Sequence, residues 1–392
     1  MKILKVIHGF PPDYMAGSEI YSYHLVKELQ KQGEEVSVFS RAENQFHPNY
    51  KIYRENFDGI DILRVNKPKR DYKYSDKFFD LEMDQIFRDE VKKIQPDIIH
   101  FGHLSHLSTN LIEIAKNEFH IPVVYTIHDF WLFCVKGQMI NQDGNICEKP
   151  SIENCQKCSP YIPSESEVKH SFKQINKIVD LIDIFVSPSH TLKNFFISQG
   201  VPKEKIVFSK YGFAKDKINF NKKVFTKEQK LKFGFMGRVI PVKGISTLIE
   251  AFNNMPNENI SIYGNIGNEK RFLEDANIQF MGGYTNSEIG VILQNFDVLI
   301  VPSIWLENSP LVIQEAFLSG TPVITSNIGG MAELVKDKKT GFTFEVDNSK
   351  DLEKLIYKIS NNPEILNSLE SGEVVSIQED VQKIRKIYKE LL

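Results

Sequence analysis

The chain has 392 residues, too many for one typical core, so two domains are the starting expectation. Charged residues make up 25% and apolar ones 41%, an ordinary soluble balance, and a formal net charge of −3 gives no overall electrostatic case for nucleic acid. No apolar run reaches the roughly 20 residues that span a bilayer. The start, MKILKVIHGFPPD, lacks the apolar length and the cleavage pattern of a secretory signal. The cytoplasm is the expected compartment, with the inner membrane face as a second station.

In chain order, Ile3–His8 reads as a buried strand, Glu19–Lys31 as a helix and Glu35–Ser40 as a strand. Lys51–Val65 reads as two short strands around Gly59. Leu81–Ile94 has helical periodicity, and Asp97–Phe101 is a strand reached after Pro96. Ser108–Glu118 is predicted helical and Val123–Ile127 extended. Glu165–Leu181 and Ser189–Gln199 are predicted helices that alternate with strands at Asp183–Ser187 and Lys205–Ser209. Such alternation with short links implies a doubly wound parallel sheet.

The pattern then restarts. Lys222–Lys230 is charged and apolar-poor and reads as the end of a linker. Strands are predicted at Leu231–Met236, Asn259–Tyr263, Ile278–Met281, Asp297–Val301 and Pro322–Ser326. Helices are predicted at Ile245–Asn253, Asn286–Gln294, Asp351–Ser360 and Glu379–Leu391. The expected organisation is a Rossmann-like domain over 1–212, a second over 213–378, and a final helix over 379–392. Ligands of open α/β sheets sit beyond the strands' carboxyl ends, so two facing domains predict a cleft between them.

The stretch Val298–Glu333 carries the most chemistry. Ser309 suits a helix cap and Pro310 the first turn, where a backbone N–H has no partner anyway. Gly320 takes the left-handed stop and Pro322 prevents continuation. A helix start at the carboxyl end of a sheet is an anion site. Glu307 and Glu315 flank it. A carboxylate beside a phosphate is unfavourable unless it binds something else, and sugar or ribose hydroxyls fit. The pattern suggests a nucleotide sugar, with its diphosphate near Asn308, Ser309, Pro310 and Leu311.

Upstream, KFGFMGRVIPVKG places Arg238 and Lys243 beside the end of a strand. A departing nucleoside diphosphate gains charge as the glycosidic bond breaks, and fixed cations stabilise that transition state. In the first half, Gly17 permits close backbone approach, Ser18 suits a helix cap and Glu19 the first turn. His128 and Asp129 end a buried strand. Asp129 can orient the imidazole or meet an acceptor, and Trp131 and Phe133 can wall a sugar ring.

The Glu307…Glu315 spacing within ENSPLVIQEA, followed by GTPVI and GGMAE, resembles the E-x7-E signature of family 4 glycosyltransferases. These are retaining enzymes with the GT-B fold. Gly237–Gly244 resembles their G-R-x4-K-G element, which implies that Arg238 and Lys243 bind the donor diphosphate. The HDFW segment resembles H-D-x-W, which implies that His128 touches the donor sugar. AGSE at 16–19 stands where the family usually has G-G-x-E, and Tyr211–Phe213 departs from the usual N-G-V-D.

The loops 263–268 and 280–284 match the region that holds the base, which implies backbone contact at Gly283 and stacking by Tyr284. The resemblance covers both domains in order. It implies Glu315 on ribose and Glu307 on the transferred sugar, with Glu307, His128, Arg238 and Lys243 as the catalytic set and Asp129 and Trp131 toward the acceptor. It also implies a UDP- or GDP-sugar donor, a glycan or lipid-linked acceptor of the cell surface, and no cofactor for catalysis. Such enzymes lack an evident protein nucleophile. The departing phosphate oxygen takes the acceptor's proton on the same face. A GT-B phosphorylase or epimerase and a silent binding relative stay as alternatives. An NAD-dependent oxidoreductase needs G-x-G-x-x-G after the first strand, and no D-x-D triplet occurs.

Two motifs stand apart. Cys134, Cys147, Cys155 and Cys158 share one Gly-, Asn- and Lys-rich stretch and read either as a structural zinc site or as reduced, unliganded thiols. Lys67, Lys69, Arg70, Lys73 and Lys77, with Tyr72, Tyr74, Phe78 and Phe79 among them, read either as attraction to an anionic membrane surface or a lipid-diphosphate acceptor, or as a solvated mobile loop.

Overall fold

A computed structural model describes residues 1–68, 73–158, 164–266 and 277–392. Within them the chain forms two compact units, Met1–Phe213 with Val375–Leu392, and Ala214–Val374.

In the first unit, β1 (Lys2–Ile7) is buried over its last five residues, as a strand covered on both faces must be. It pairs in parallel with β2 (Glu35–Ala42) on one side and β5 (Ile98–Phe101) on the other. β3 (Ile52–Phe57) and β4 (Ile60–Asn66) form the one antiparallel pair of this sheet among the described residues. Asp58 and Gly59 both have positive φ there, as a two-residue hairpin turn requires. β6 (Val123–Thr126), β7 (Ile184–Ser187) and β8 (Ile206–Phe208) complete the order β3-β4-β2-β1-β5-β6-β7-β8.

The helices of this unit include α1 (Gly17–Lys31), α2 (Leu81–Ile94), α3 (Asn110–Glu113), α4 (Ile152–Lys157), α5 (Glu165–Leu181) and α6 (His190–Ser198). The helix predicted from Ser108 is shorter, because a π turn at Ile114–Glu118 takes over after α3.

The last helix, Ile377–Leu391, opens with a reciprocal cap between Ser376 and Glu379. Its Asp380 is fully buried and accepts from Tyr21 Oη at 2.9 Å, Ser209 Oγ at 3.0 Å and the Gly212 amide at 3.1 Å. A Cβ at Gly212 would lie 2.7 Å from that of Asp380, so glycine is required. Tyr388 reaches His100 Nδ1 at 2.5 Å. Arg385 meets Glu34 at 2.6 Å.

The second unit holds a parallel sheet of β9 (Phe233–Met236), β10 (Ile260–Tyr263), β11 (Ile278–Gly282), β12 (Val298–Val301), β13 (Val323–Ser326) and β14 (Phe342–Phe344). Its order is β11-β10-β9-β12-β13-β14. Its helices include α7 (Ile245–Asn253), α8 (Ile289–Asn295), α9 (Leu311–Ser319), α10 (Gly329–Leu334) and α11 (Ser349–Asn361). Leu248 and Phe252 of α7 pack on Phe233, Ile262 and Val298. Ile313 and Phe317 of α9 pack in a second cluster with Leu299 and Val323.

In both sheets the strand order reverses beside the first strand, between β1 and β5 and between β9 and β12. The loops leaving such a pair diverge and open a crevice at their carboxyl ends.

Candidate functional site

At the reversal in the second sheet, β9 ends at Met236 and Gly237 turns the chain at φ +148°. The Gly237 amide donates to Tyr263 O at 3.0 Å, and that of Val239 to Asn265 O at 3.2 Å. A Cβ on Gly264 would lie 1.7 Å from Gly237 O, so the two loops touch backbone to backbone. Arg238 is exposed here and makes no ion pair among the described residues.

One 3-10 turn, Pro241–Lys243, then presents Lys243. Gly244 follows at φ +71°, and a Cβ there would lie 1.8 Å from Pro302 O. Only glycine lets this turn press on the loop that leaves β12. The Ile304 amide returns to Val242 O at 3.0 Å.

These contacts bring Lys243 and Glu307 together. Glu307 is buried, and its Oε1 accepts from Lys243 Nζ at 2.5 Å, Trp305 Nε1 at 2.8 Å and Ser303 Oγ at 2.9 Å. Gly330, in α10, braces the loop from behind. Its amide donates to Glu307 O at 2.7 Å, and a Cβ would lie 1.6 Å from Asn308 O.

Helix α9 begins one residue later than predicted, with Pro310 as its cap and no side-chain cap. Ser309 is occupied elsewhere: its buried Oγ accepts from Gln314 Nε2 at 3.0 Å. The first amides of a helix have no intrahelical partners, and those of Leu311 and its neighbours start next to Asn308 and Ser309. Glu315, just over a turn further on, is half-buried, and burial pushes its carboxyl up to about 7. Burial raises the Tyr284 hydroxyl to about 12, with the Glu315 charge adding to it. Gly283 lies against Asn265, whose Oδ1 would be 2.4 Å from an added Cβ.

The reversal in the first sheet is built from histidines and carboxylates. The His8 amide donates to His103 O at 2.8 Å, and the two rings lie 4.5 Å apart. His103 Nδ1 accepts from the Ser105 amide at 3.0 Å, which leaves Nε2–H to donate to Asp129 Oδ2 at 3.0 Å. Asp129 Oδ1 accepts from the Trp131 amide at 2.8 Å. Asp129 therefore orients His103, not His128 as one sequence reading allowed. His128 Nδ1 meets Tyr211 Oη at 2.6 Å instead. Burial, then the charges of Lys5 and neighbouring histidines, hold the His128 imidazole well below its usual range, so it is neutral.

Trp131 is only 8% exposed, and Lys77 Nζ lies 4.4 Å from its ring centre. Phe133 is buried against Phe195 and Phe196. Gly17 is the first residue of α1. The expected Ser18 cap is not made, because the helix starts before it. Ser18 Oγ donates to Glu19 Oε2 at 2.8 Å, and Glu19 Oε1 pairs with His8 Nε2 at 3.1 Å. Tyr211, His8 and His103 were missed in the sequence. A histidine ending each central strand was the available signal.

The basic-aromatic run does not form one surface. Lys67 is buried between Asp76 at 3.0 Å and Asp80 at 2.8 Å. Lys77 is buried and donates to Trp131 O at 2.7 Å and Leu132 O at 3.0 Å. Phe78 is buried as well, while Lys73 and Phe79 are exposed. Lys69, Arg70 and Tyr72 lie outside the described residues, as do Gly267 and Asn268 of the base-region loop.

Cys134, Cys155 and Cys158 are buried and Cys147 half-buried, all as free thiols. Among the described residues no three His, Cys, Asp or Glu side chains are arranged to hold a metal ion. Among them, too, no helix is long and apolar enough to cross a membrane.

Residues 15–209 match the family described as Glycosyltransferase Family 4, and residues 216–372 match Glycosyl transferases group 1. An uncharacterized glycosyltransferase of Methanocaldococcus jannaschii is 25% identical, covering 100% of this chain and 99% of its own. A putative teichuronic acid biosynthesis glycosyltransferase of Bacillus subtilis is 22% identical over 85% of this chain and 83% of its own. The structure of Anabaena HepE in complex with UDP superposes with a TM-score of 0.69 at 17% identity, covering 100% of both chains. The two parallel-sheet α/β units are those of the GT-B fold.

Proposed function

The chain belongs to glycosyltransferase family 4, and from that premise we propose retaining transfer of a sugar from a nucleoside-diphosphate donor to a glycan or lipid-linked acceptor in cell-surface polysaccharide synthesis. The observation that carries this reading is the Lys243–Glu307 pair at the reversal in the second sheet. A lone ammonium there would be mobile. Glu307 fixes its position, and Glu307 is itself fixed by Trp305 and Ser303.

In this reading Lys243, Arg238 and the first amides of α9 take the diphosphate. Their charge is in place before the glycosidic bond breaks, so the leaving group is stabilised without reorganisation. Glu315 takes ribose hydroxyls, Gly283 and Tyr284 the base, and Glu307 the transferred sugar. Gly17 meets the donor through its backbone. His128, neutral and held by Tyr211, donates or accepts a hydrogen bond to a sugar hydroxyl. It is not the base. Asp129 and Trp131 serve the acceptor. Retention follows if the leaving phosphate oxygen takes the acceptor's proton on the face it vacates.

HepE was solved with UDP, so UDP-sugars come first in a thermal-shift panel with GDP- and ADP-sugars. One nucleotide class is expected to stabilise the protein. No shift with any of them removes the donor assignment. Proton NMR of the product then tests retention, which an inverted anomeric centre would refute. Zinc on the four cysteines stays a proposal from the sequence. Metal analysis of the purified protein decides it, with near-stoichiometric zinc expected and none excluding it.

A further inference from the structure

The segment that enters the second unit forms a strap across the end where β9, β12 and β13 begin. Asn221 N donates to Ser319 O at 3.1 Å, where α9 ends. Phe225 N donates to Asn367 Oδ1 at 2.9 Å, and Asn367 Nδ2 returns to Phe225 O at 2.8 Å. Phe225 is thereby buried, yet Phe220 is 59% exposed and Val224 74%.

Lysines surround those two apolar side chains. Of the thirteen residues from Phe220 to Lys232, five are lysines and one, Glu228, is acidic. Lys222, Lys227, Lys230 and Lys232 are exposed and Lys223 is half-buried. Among the described residues none of the five forms an ion pair. Lys223 Nζ makes a long contact with Leu293 O, 3.5 Å, and feels the charge of Asp297.

Beside the strap opens a hollow of about 380 Å³. Phe225, Phe317 and Leu366 line it together with Lys222, Lys223 and one carboxylate, Glu370. An acidic phospholipid surface complements both features of the strap, its phosphates the lysines and its methylenes the exposed Phe220 and Val224.

We propose that this strap docks the second unit on an anionic bilayer, with Phe220 and Val224 entering the headgroup region and the lysines facing acidic phospholipid phosphates. The surface lies at the amino ends of the strands, opposite the Lys243–Glu307 pair at their carboxyl ends. The docking is independent of the donor assignment.

The test is sedimentation of the full chain with vesicles of phosphatidylcholine alone or mixed with phosphatidylglycerol. Binding is expected only to the mixed vesicles, and 0.5 M salt, an arbitrary high setting on the order of three times physiological, should release it. The double variant Lys222→Gln/Lys223→Gln should bind about 30-fold more weakly, from about 1 kcal/mol per surface lysine. Phe220→Ser should weaken binding separately. Both variants sit on exposed or half-exposed positions, and unchanged melting temperatures will show that they fold. Glycerol 3-phosphate, added without vesicles, is the control for a soluble anion. Absence of vesicle binding, retention of full binding by both variants, or a thermal shift with glycerol 3-phosphate and none with vesicles would each overturn the proposal.

Discussion

The two sheet reversals share a topology and differ in chemistry. In the second sheet the loops leaving β9 and β12 are pressed together by Gly244 and Gly330, and they hold a buried carboxylate on an ammonium. In the first sheet the carboxyl ends of β1, β5 and β6 are lined by three histidines, each held by its own partner: His8 by Glu19, His103 by Asp129 and His128 by Tyr211. One crevice concentrates charge for a charged ligand. The other offers directional hydrogen bonds of the kind sugar hydroxyls need. Strand order locates a crevice, and the residues ending its strands decide what it takes.

This contrast can be broken at several strengths. The largest effect is expected at Gly330→Ala, where the new methyl has no room beside Asn308 O. A stability loss of about 3 kcal/mol or more should appear in urea denaturation, together with loss of activity. A variant that melts like the parent would show the loop to be loosely held.

Next comes Glu307→Gln. It keeps the shape and removes the charge that positions Lys243, so turnover should fall about 100-fold at unchanged stability within roughly 1 kcal/mol. Unaltered turnover would detach the pair from the chemistry.

A smaller effect concerns pH. Burial raises the folded Glu315 carboxyl to about 7, above its value in the unfolded chain. Between the ordinary carboxylate range and about 7 the folded protein therefore binds more protons, and stability falls as pH rises through that window. Glu315→Gln should lack this fall and be more stable at pH 8, while binding donor more weakly. Identical pH slopes in parent and variant would contradict the assignment.

The smallest effect is expected in the first unit. Tyr211→Phe removes the bond to His128 Nδ1 and should cost about 1 kcal/mol in stability, with only a few-fold change in kcat/KM. A hundred-fold loss would make Tyr211 part of the machinery and erase the difference between the crevices.

The sequence exposed these regions unequally. Arg238, Lys243, Glu307 and Glu315 sit in short motifs whose glycines and prolines mark the turns, so local reasoning placed them. Most strands were readable because parallel strands here are nearly continuous apolar runs. What escaped depends on distant partners. Tyr211 meets His128 from 83 positions away, and no local pattern announces it. Ser309 has the chemistry of a cap, but Gln314 takes its hydroxyl. Lys67 and Lys77 read as exposed cations, whereas Asp76, Asp80 and backbone carbonyls draw them inside. Short elements such as β14 and α10 carry too few residues for periodicity to show.

The central claim is that Lys243, held by Glu307, grips the donor diphosphate. Its most direct test is release of nucleoside diphosphate from the stabilising nucleotide sugar without acceptor, for the parent and Lys243→Ala at matched folded concentration. Slow release by the parent and a loss of about 100-fold or more in the variant is the predicted result. Equal rates in the two proteins would contradict it.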